Sequence, residues 1–460
     1  MVTTFMVPVA MFGWPPLVLL LFAKLPPRRA ALIGFLAGWI FLPMADYPIH
    51  GLPDYNKMLA VCGSVLLAVL LFDFRGLISL RPAWIDLPIL IFCISPFFSA
   101  MAGGLGAHEG VSVIFSQSVT WGVPWVVGAL YFRNLSGLRE LAAGIFVAGL
   151  IYIPLCWLEI AFGPKLHLWI YGFAQGDLSR SAMRFGGWRP MVFLDSGLAV
   201  AAWMAAASVI GFWISRAHIF PAVNGAGTAW LAAFLAFTTL WLKSVNGWVF
   251  LFLGIVLLMT AWRWRTRLLL YGAILLVLVY VSASAAGVLS RQDVIPALAG
   301  LLNSARAKSV DYRFLNEDVI ARNAREHPLL GWGRTAAVFE DRKHEILPYE
   351  DHTVKAYAVV DSLWIGVFAA FGAVGLAGLF GSLLAPVTLW AWRFPPVGWL
   401  DGKIAPAAAL AVTLLLYTVD DLANGFLNPV FLLIAGGLAH CIAEPRIEPL
   451  PGKLRYDGSA

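Results

Sequence analysis

Apolar residues run along this chain in long blocks set apart by short polar breaks. Neither the alternation of a half-buried strand nor the narrow stripe of a surface helix dominates. About thirteen blocks reach the length of a bilayer span, roughly 20 helical residues across a hydrocarbon core of about 30 Å. They fall near 5–23, 30–46, 58–73, 86–103, 112–132, 140–162, 191–214, 227–242, 247–262, 268–288, 359–391, 404–419 and 427–443. This pattern predicts an all-α polytopic integral membrane protein with about 12–13 transmembrane helices. The block at 359–391 exceeds one span, so a helix that tilts or extends beyond the bilayer is expected. Only the connection at roughly 289–358 is long enough for a small extramembrane unit. Within it, Ser309–Glu326 predicts a short amphipathic helix with Ser309 as N-cap and Tyr312, Leu315 and Val319 on its apolar face. That helix must stop near His327, because Pro328 disfavours helical geometry at the residue before it.

Composition agrees, with 60% hydrophobic and 13% charged residues where a soluble globule has nearer a quarter charged. The 20 Trp fit a protein with many water–bilayer interfaces. Residues 5–23 precede the positive flank Lys24 to Arg29, the reverse of a cleavable signal, and read as a first span starting outside. Cys62, Cys93, Cys156 and Cys441 all lie in apolar blocks without metal or disulfide spacing, as packing residues do.

Charge changes the picture more. Of 32 Lys and Arg, 16 fall in alternate short loops and the C-terminal tail, which the positive-inside rule places in the cytoplasm. The other 16 lie on the opposite side, 14 of them in two loops, roughly 163–190 and 289–358. Basic residues retained on that side point to an anionic ligand bound there, and the net charge of +6 says nothing about nucleic acid.

Three stretches carry candidate chemistry. Arg184-Phe-Gly-Gly-Trp-Arg189-Pro190 stands just before the 191–214 block. Its arginines can fork onto phosphate oxygens, and Asp195 beyond it either binds ligand within the membrane or pairs with Arg189. In the large loop, Arg313 and the run His327-Pro-Leu-Leu-Gly-Trp-Gly-Arg334 offer two more guanidinium groups and a stacking Trp332 at the mouth of a site. The plain alternative is a solvated helix and an ordinary turn. Last come Tyr349-Glu-Asp-His352 and Val360-Asp361-Ser362-Leu363-Trp364, where Asp361, or His352 as the fallback, is a general-base candidate toward a hydroxyl. Asp420-Asp421 with Asn424 either binds a cation or an acceptor sugar, or caps a helix. No P-loop, His-Glu-x-x-His or Gly-x-Ser-x-Gly motif is present, which argues against an ATP-driven pump or a membrane metalloprotease.

These stretches resemble the O-antigen ligase and polymerase superfamily of bacterial envelope glycosyltransferases, in order and spacing over roughly 115–392. Arg184 to Phe193 looks like the family's arginine segment leading from a periplasmic loop into a helix. Arg313 through Gly333 is similar to its large-loop arginine helix and turn, and Asp361-Ser-Leu-Trp-Ile with Gly372-Ala-Val-Gly375 to its closing helix. Ligases of the family typically have His where this chain has Asp361; an Asp there also looks like exopolysaccharide polymerase-type members.

The resemblance implies glycan transfer from a polyprenyl-pyrophosphate donor to an acceptor hydroxyl on the periplasmic face of the inner membrane, with no cofactor or metal. Arg184, Arg189, Arg313 and Arg334 would hold the pyrophosphate, and Asp361 or His352 would take the acceptor proton. Trp332, Asp195 and Asp420 would contact substrate or acceptor. The partners implied are the lipid-linked glycan, a lipid or glycan acceptor, membrane lipids and other envelope polysaccharide assembly proteins, with no nucleic acid. A lipid groove is expected beside the 191–214 and 359–391 blocks. Three regions follow: N-terminal helices at 1–112, a ligase- or polymerase-like core at 113–392, and C-terminal helices with a tail at 393–460. The rival readings are a transporter or lipid-linked oligosaccharide flippase, and a non-catalytic scaffold.

Overall fold

The computed structural model describes residues 4–49, 52–175, 183–220, 222–223, 225–289, 304–335, 346–349, 352–355, 360 and 362–443; for residues 52, 223, 304–310, 312 and the two strands within 346–355 it describes backbone alone. Helices form where the apolar blocks predict them, because a bilayer offers backbone groups no partner outside their own helix. In order they are α1 (Met6–Lys24), α2 (Pro27–Phe41), α3 (Lys57–Phe72), α4 (Phe74–Ser79), α5 (Leu87–Ala102) and α6 (Ala107–Tyr131, with a π-turn at Ser118–Gly122). Next are α7 (Leu135–Phe162), α8 (Leu166–Tyr171), α9 (Gly197–Arg216), α10 (Thr228–Trp241), α11 (Val245–Trp264) and α12 (Leu268–Ala286). The series ends with α13 (Ser304–Ala324), α14 (Leu363–Arg393), α15 (Ala405–Asp420) and α16 (Pro429–Ala443). Among the described residues, 8 helices are long and apolar enough to cross a membrane, and α3, α10, α15 and α16 are shorter apolar helices. The chain is an all-α, multi-pass membrane protein, and the strands among the described residues form short two-stranded hairpins.

Helix α9 is the hub, with 89% of its apolar window buried, against 28% for α1 and α12. Its run of Ala and Gly lets neighbours approach closely, as at Gly211, where a methyl group would collide with the Phe146 ring of α7. A helix enclosed this way offers little surface to lipid beside 191–214. The large apolar groove, about 760 Å³, instead runs between α12 and α14, with Ile274, Leu278, Leu376 and Phe380 in its walls.

Two elements differ from expectation in ways that shape the site. Helix α9 starts at Gly197, so Asp195 precedes the N-cap Ser196 instead of sitting one to two turns inside. The reason is an arch at 189–195 held by side chains from the spans. Glu159 Oε2 accepts from the Met191 and Val192 amides, both at 2.8 Å. Lys57 Nζ donates to the Phe193 carbonyl at 2.8 Å, and Gln175 Nε2 to that of Val192 at 2.8 Å. Val192 itself has φ of 51°, a value foreign to a helix.

Helix α14 absorbs its extra length in a break at Gly372 (φ 62°, ψ −158°). The turn after α13 fills the gap. Trp332 and Gly333 amides donate to the Ala369 and Ala370 carbonyls at 2.9 Å each, while Ala373 and Val374 amides donate to Pro328 and Leu329 at 2.8 and 3.2 Å. Helix α13 ends at Ala324, close to the predicted stop, but begins at Ser304, which makes Ser309 an interior residue. Its buried residues are Asn316, Val319, Ile320, Ala321, Asn323 and Ala324, with Leu315 at the margin.

Candidate active site

The first part of the site is a hairpin of β1 (Met183–Arg184) and β2 (Gly187–Trp188), in which Arg184 pairs with Gly187. Its two turn residues, Phe185 (φ 49°) and Gly186 (φ 70°), are both left-handed, as the tight turns that suit strand twist require. Phe185 stacks on Trp248 at 5.4 Å, fixing the hairpin over the start of α11. Arg184 is exposed. Arg189, one residue past the hairpin, is 4% exposed. Its stem passes over Gly197, where a Cβ would come within 2.7 Å of the Arg189 Cγ and Nε. Only glycine at the first position of α9 admits that path.

Arg189 Nε and Nη2 are buried without a hydrogen-bond partner. Burial, then the nearby charges of Arg184 and Arg313, lower its pKa to about 10. Three guanidinium groups from two loops thus share one field. Arg313, from α13, donates through Nη1 to the Ala423 carbonyl at 3.2 Å. The turn that carries Ala423 is knitted by Asp420, whose Oδ1 accepts from Asn246 at 2.8 Å and Asn424 at 2.7 Å. Asp420 is buried and already bonded to two amides, within the electrostatic reach of Arg313.

Beside this basic rim lies a cavity of about 360 Å³ between α5, α6 and the first half of α14. Phe92, Trp121 and Phe371 give it an apolar wall; Gln117, Arg334 and Ser362 give it polar contacts. Gly425, also in the wall, is two residues from the carbonyl that Arg313 holds. Ser362 donates to Glu317 Oε1 at 2.7 Å, and Tyr280 to its Oε2 at 3.0 Å, so α12, α13 and α14 are tied through one carboxylate. Burial raises the Glu317 pKa. Trp332 takes no part in the cavity wall. Its indole donates to the Asn323 carbonyl at 3.1 Å and its ring meets His327 edge-on at 4.3 Å, which pins the turn to α13.

Asp361 lies outside the described residues. His352 opens β4 (His352–Lys355), paired with Tyr349 of β3 (Ile346–Tyr349), and its backbone alone is described. Asp195 is half-buried beside the arch, near the charge of Lys57. Among the described residues no group of three His, Cys, Asp or Glu is placed to hold a metal ion. Sequence reasoning missed Lys243, Asn246, Glu159 and Glu317. For Lys243 a signal existed, since two of the 16 far-side basic residues, Lys57 and Lys243, fell outside the two large loops.

Residues 230–380 match the family model for O-antigen ligase (Wzy_C). Over this stretch the resemblance to the O-antigen ligase superfamily holds. No curated protein matches the chain. The ligase match covers about a third of the sequence, running from α10 into the second half of α14. It therefore contains Lys243, Arg313, the 328–333 turn, Arg334 and the Gly372 break, and leaves Arg184 and Arg189 outside. O-antigen ligase-like glycan transfer is the class of activity this region supports.

Proposed function

We propose that this protein transfers a glycan from a polyprenyl-pyrophosphate donor to an acceptor hydroxyl on the periplasmic face of the inner membrane. The observation that carries the proposal is Arg189, a buried guanidinium with two unpartnered nitrogens in the field of two further arginines. Such a cluster stays together at low cost only with an anion between its members. Breaking the glycosidic bond leaves a pyrophosphate whose growing charge is best met by cations already in place. Arg184, Arg189 and Arg313 hold the diphosphate, with Arg334 facing it from the cavity wall. The acceptor occupies that cavity, near Asp361, which takes the hydroxyl proton as the acceptor oxygen displaces the diphosphate. His352 remains the fallback base, Asp195 and Asp420 set the shape of the arch and turn that frame the site, and the polyprenyl tail lies in the apolar groove between α12 and α14.

A reconstituted assay with a lipid-linked oligosaccharide tests this. Arg189→Ala and Arg313→Ala should each lose at least about 100-fold in transfer, the loss of roughly 3 kcal/mol of transition-state stabilisation, while inserting normally. Retained transfer by both variants overturns the mechanism. The flippase reading finds some support in the broken helix α14, since transporters coordinate cargo with such breaks. Here the amides of Ala373 and Val374 and the carbonyls of Ala369 and Ala370 are all engaged by the 328–333 turn, which favours the enzyme. Movement of the lipid-linked glycan without product would favour the flippase instead.

A further inference from the structure

Helices α10 and α11 are joined by Leu242, Lys243 and Ser244 alone. Lys243 adopts φ of 55°, a left-handed conformation that long side chains avoid and that Gly or Asn would adopt freely. The conformation aims the side chain at the hairpin, where a methyl group on Gly187 would collide with Lys243 Nζ. Gly187 is the register partner of Arg184 and stands two residues before Arg189. From the same turn Asn246 reaches the other way, to Asp420 Oδ1 at 2.8 Å, in the turn that Arg313 also holds. The 243–246 turn therefore joins the two cation-bearing loops. No ion pair to a carboxylate neutralises Lys243 among the described residues. Unfavourable backbone geometry has been kept here, and its result is a fourth cation on an already basic rim.

We propose that Lys243 holds the terminal phosphate of the diphosphate, the one that gains charge during transfer. The proposal rests on the function proposed above. As the sugar C1–oxygen bond breaks, its electron pair stays on the phosphate oxygen. The acceptor oxygen forms the new bond to C1 and its proton passes to the base. The terminal phosphate changes from diester to monoester and carries one more negative charge than before. A compact ammonium with three donors suits that rotationally free group, where the planar guanidinium groups suit the fixed bridging pair. Lys243 thus favours the departing diphosphate over the bound donor.

The test uses the full-length protein in proteoliposomes, with Lys243→Gly as the variant. Glycine accepts the left-handed turn without strain, so the variant should unfold at the same temperature as the parent or higher. Its affinity for free polyprenyl diphosphate should fall about tenfold or more, the worth of one charge-assisted contact. Affinity for the sugar-bearing donor, measured without acceptor, should fall less than about threefold, and kcat should fall with product affinity. Lys243→Arg should recover most of the loss. An unchanged kcat, or equal weakening toward product and donor, overturns the assignment. So does a lower unfolding temperature with an unchanged affinity ratio, which marks Lys243 as a structural residue. If the parent protein itself binds neither diphosphate, the function proposed above fails instead.

Discussion

Arg189 is buried with two nitrogens unpartnered, and on the proposed function their partners arrive with the ligand. A buried charge left without partners costs several kcal/mol, and each charge-assisted contact to an anion returns roughly 1.5–3 kcal/mol. The residue was legible in the sequence because a guanidinium on the far side of a membrane protein is conspicuous. Lys243 carried the same far-side charge, but the left-handed φ that aims it at the hairpin leaves no trace in residue order. His167 shows a further consequence at this scale. Its Nδ1–H donates to the Phe173 carbonyl at 2.8 Å and its Nε2 accepts from the Met44 amide at 3.1 Å, which requires the neutral ring. Burial, then the charge of Lys57, lowers its pKa below the ordinary 6.5. The unfolded chain then binds the proton more readily, so stability is complete above pH 6.5 and declines as pH falls toward the lowered folded value. Unfolding temperature in detergent, followed from pH 7.5 to 5.5, should drop, and His167→Gln should flatten that slope. A parent profile as flat as the variant's would contradict this.

Between elements, the decisive contact is the 328–333 turn seated in the break of α14. Unbroken, 31 residues would extend about 46 Å at 1.5 Å per residue, well past one bilayer core. The break shortens the helix, and the turn supplies the hydrogen bonds that the break removes. At Gly372 a side chain meets the Leu329 carbonyl carbon at 2.4 Å and also forces an L-residue to φ of 62°. Gly372→Ala should therefore lower stability by at least about 2 kcal/mol, read as a fall in unfolding temperature, and weaken transfer by loosening Arg334 just beyond the turn. The sequence marked His327-Pro-Leu-Leu-Gly-Trp-Gly as a turn but not as a plug, because its partner lies some forty residues on and carries no proline. The same turn holds Trp332, whose indole donates to the Asn323 carbonyl of α13 and whose ring meets His327.

At the level of the molecule, the count and order of apolar helices were legible, since the bilayer dictates length and hydropathy directly. Which loops meet was not. Hairpin 183–188, the 243–246 turn, α13 and the turn after α15 converge from positions spread over more than half of the chain. The topology behind that convergence is testable with single cysteines, because Cys62, Cys93, Cys156 and Cys441 are all buried and should stay silent. Met183→Cys and Glu326→Cys should both react with an impermeant maleimide from the periplasm, and Trp264→Cys only after the membrane is opened. Labelling of Glu326→Cys from the cytoplasm alone would remove the case for a diphosphate site.

The stretch that matches the ligase family begins at 230, whereas the buried Arg189 lies before it. On the function proposed above, the grip on the donor would be assembled across the edge of the recognisable domain. A chimera that exchanged only 230–380 with a relative would import Arg313, Arg334 and the α14 wall of the cavity, yet keep the host's α5 and α6 walls, its hairpin and its two arginines. Mismatch between imported turn and resident hairpin, at the Lys243–Gly187 contact, is where such an exchange would first go wrong.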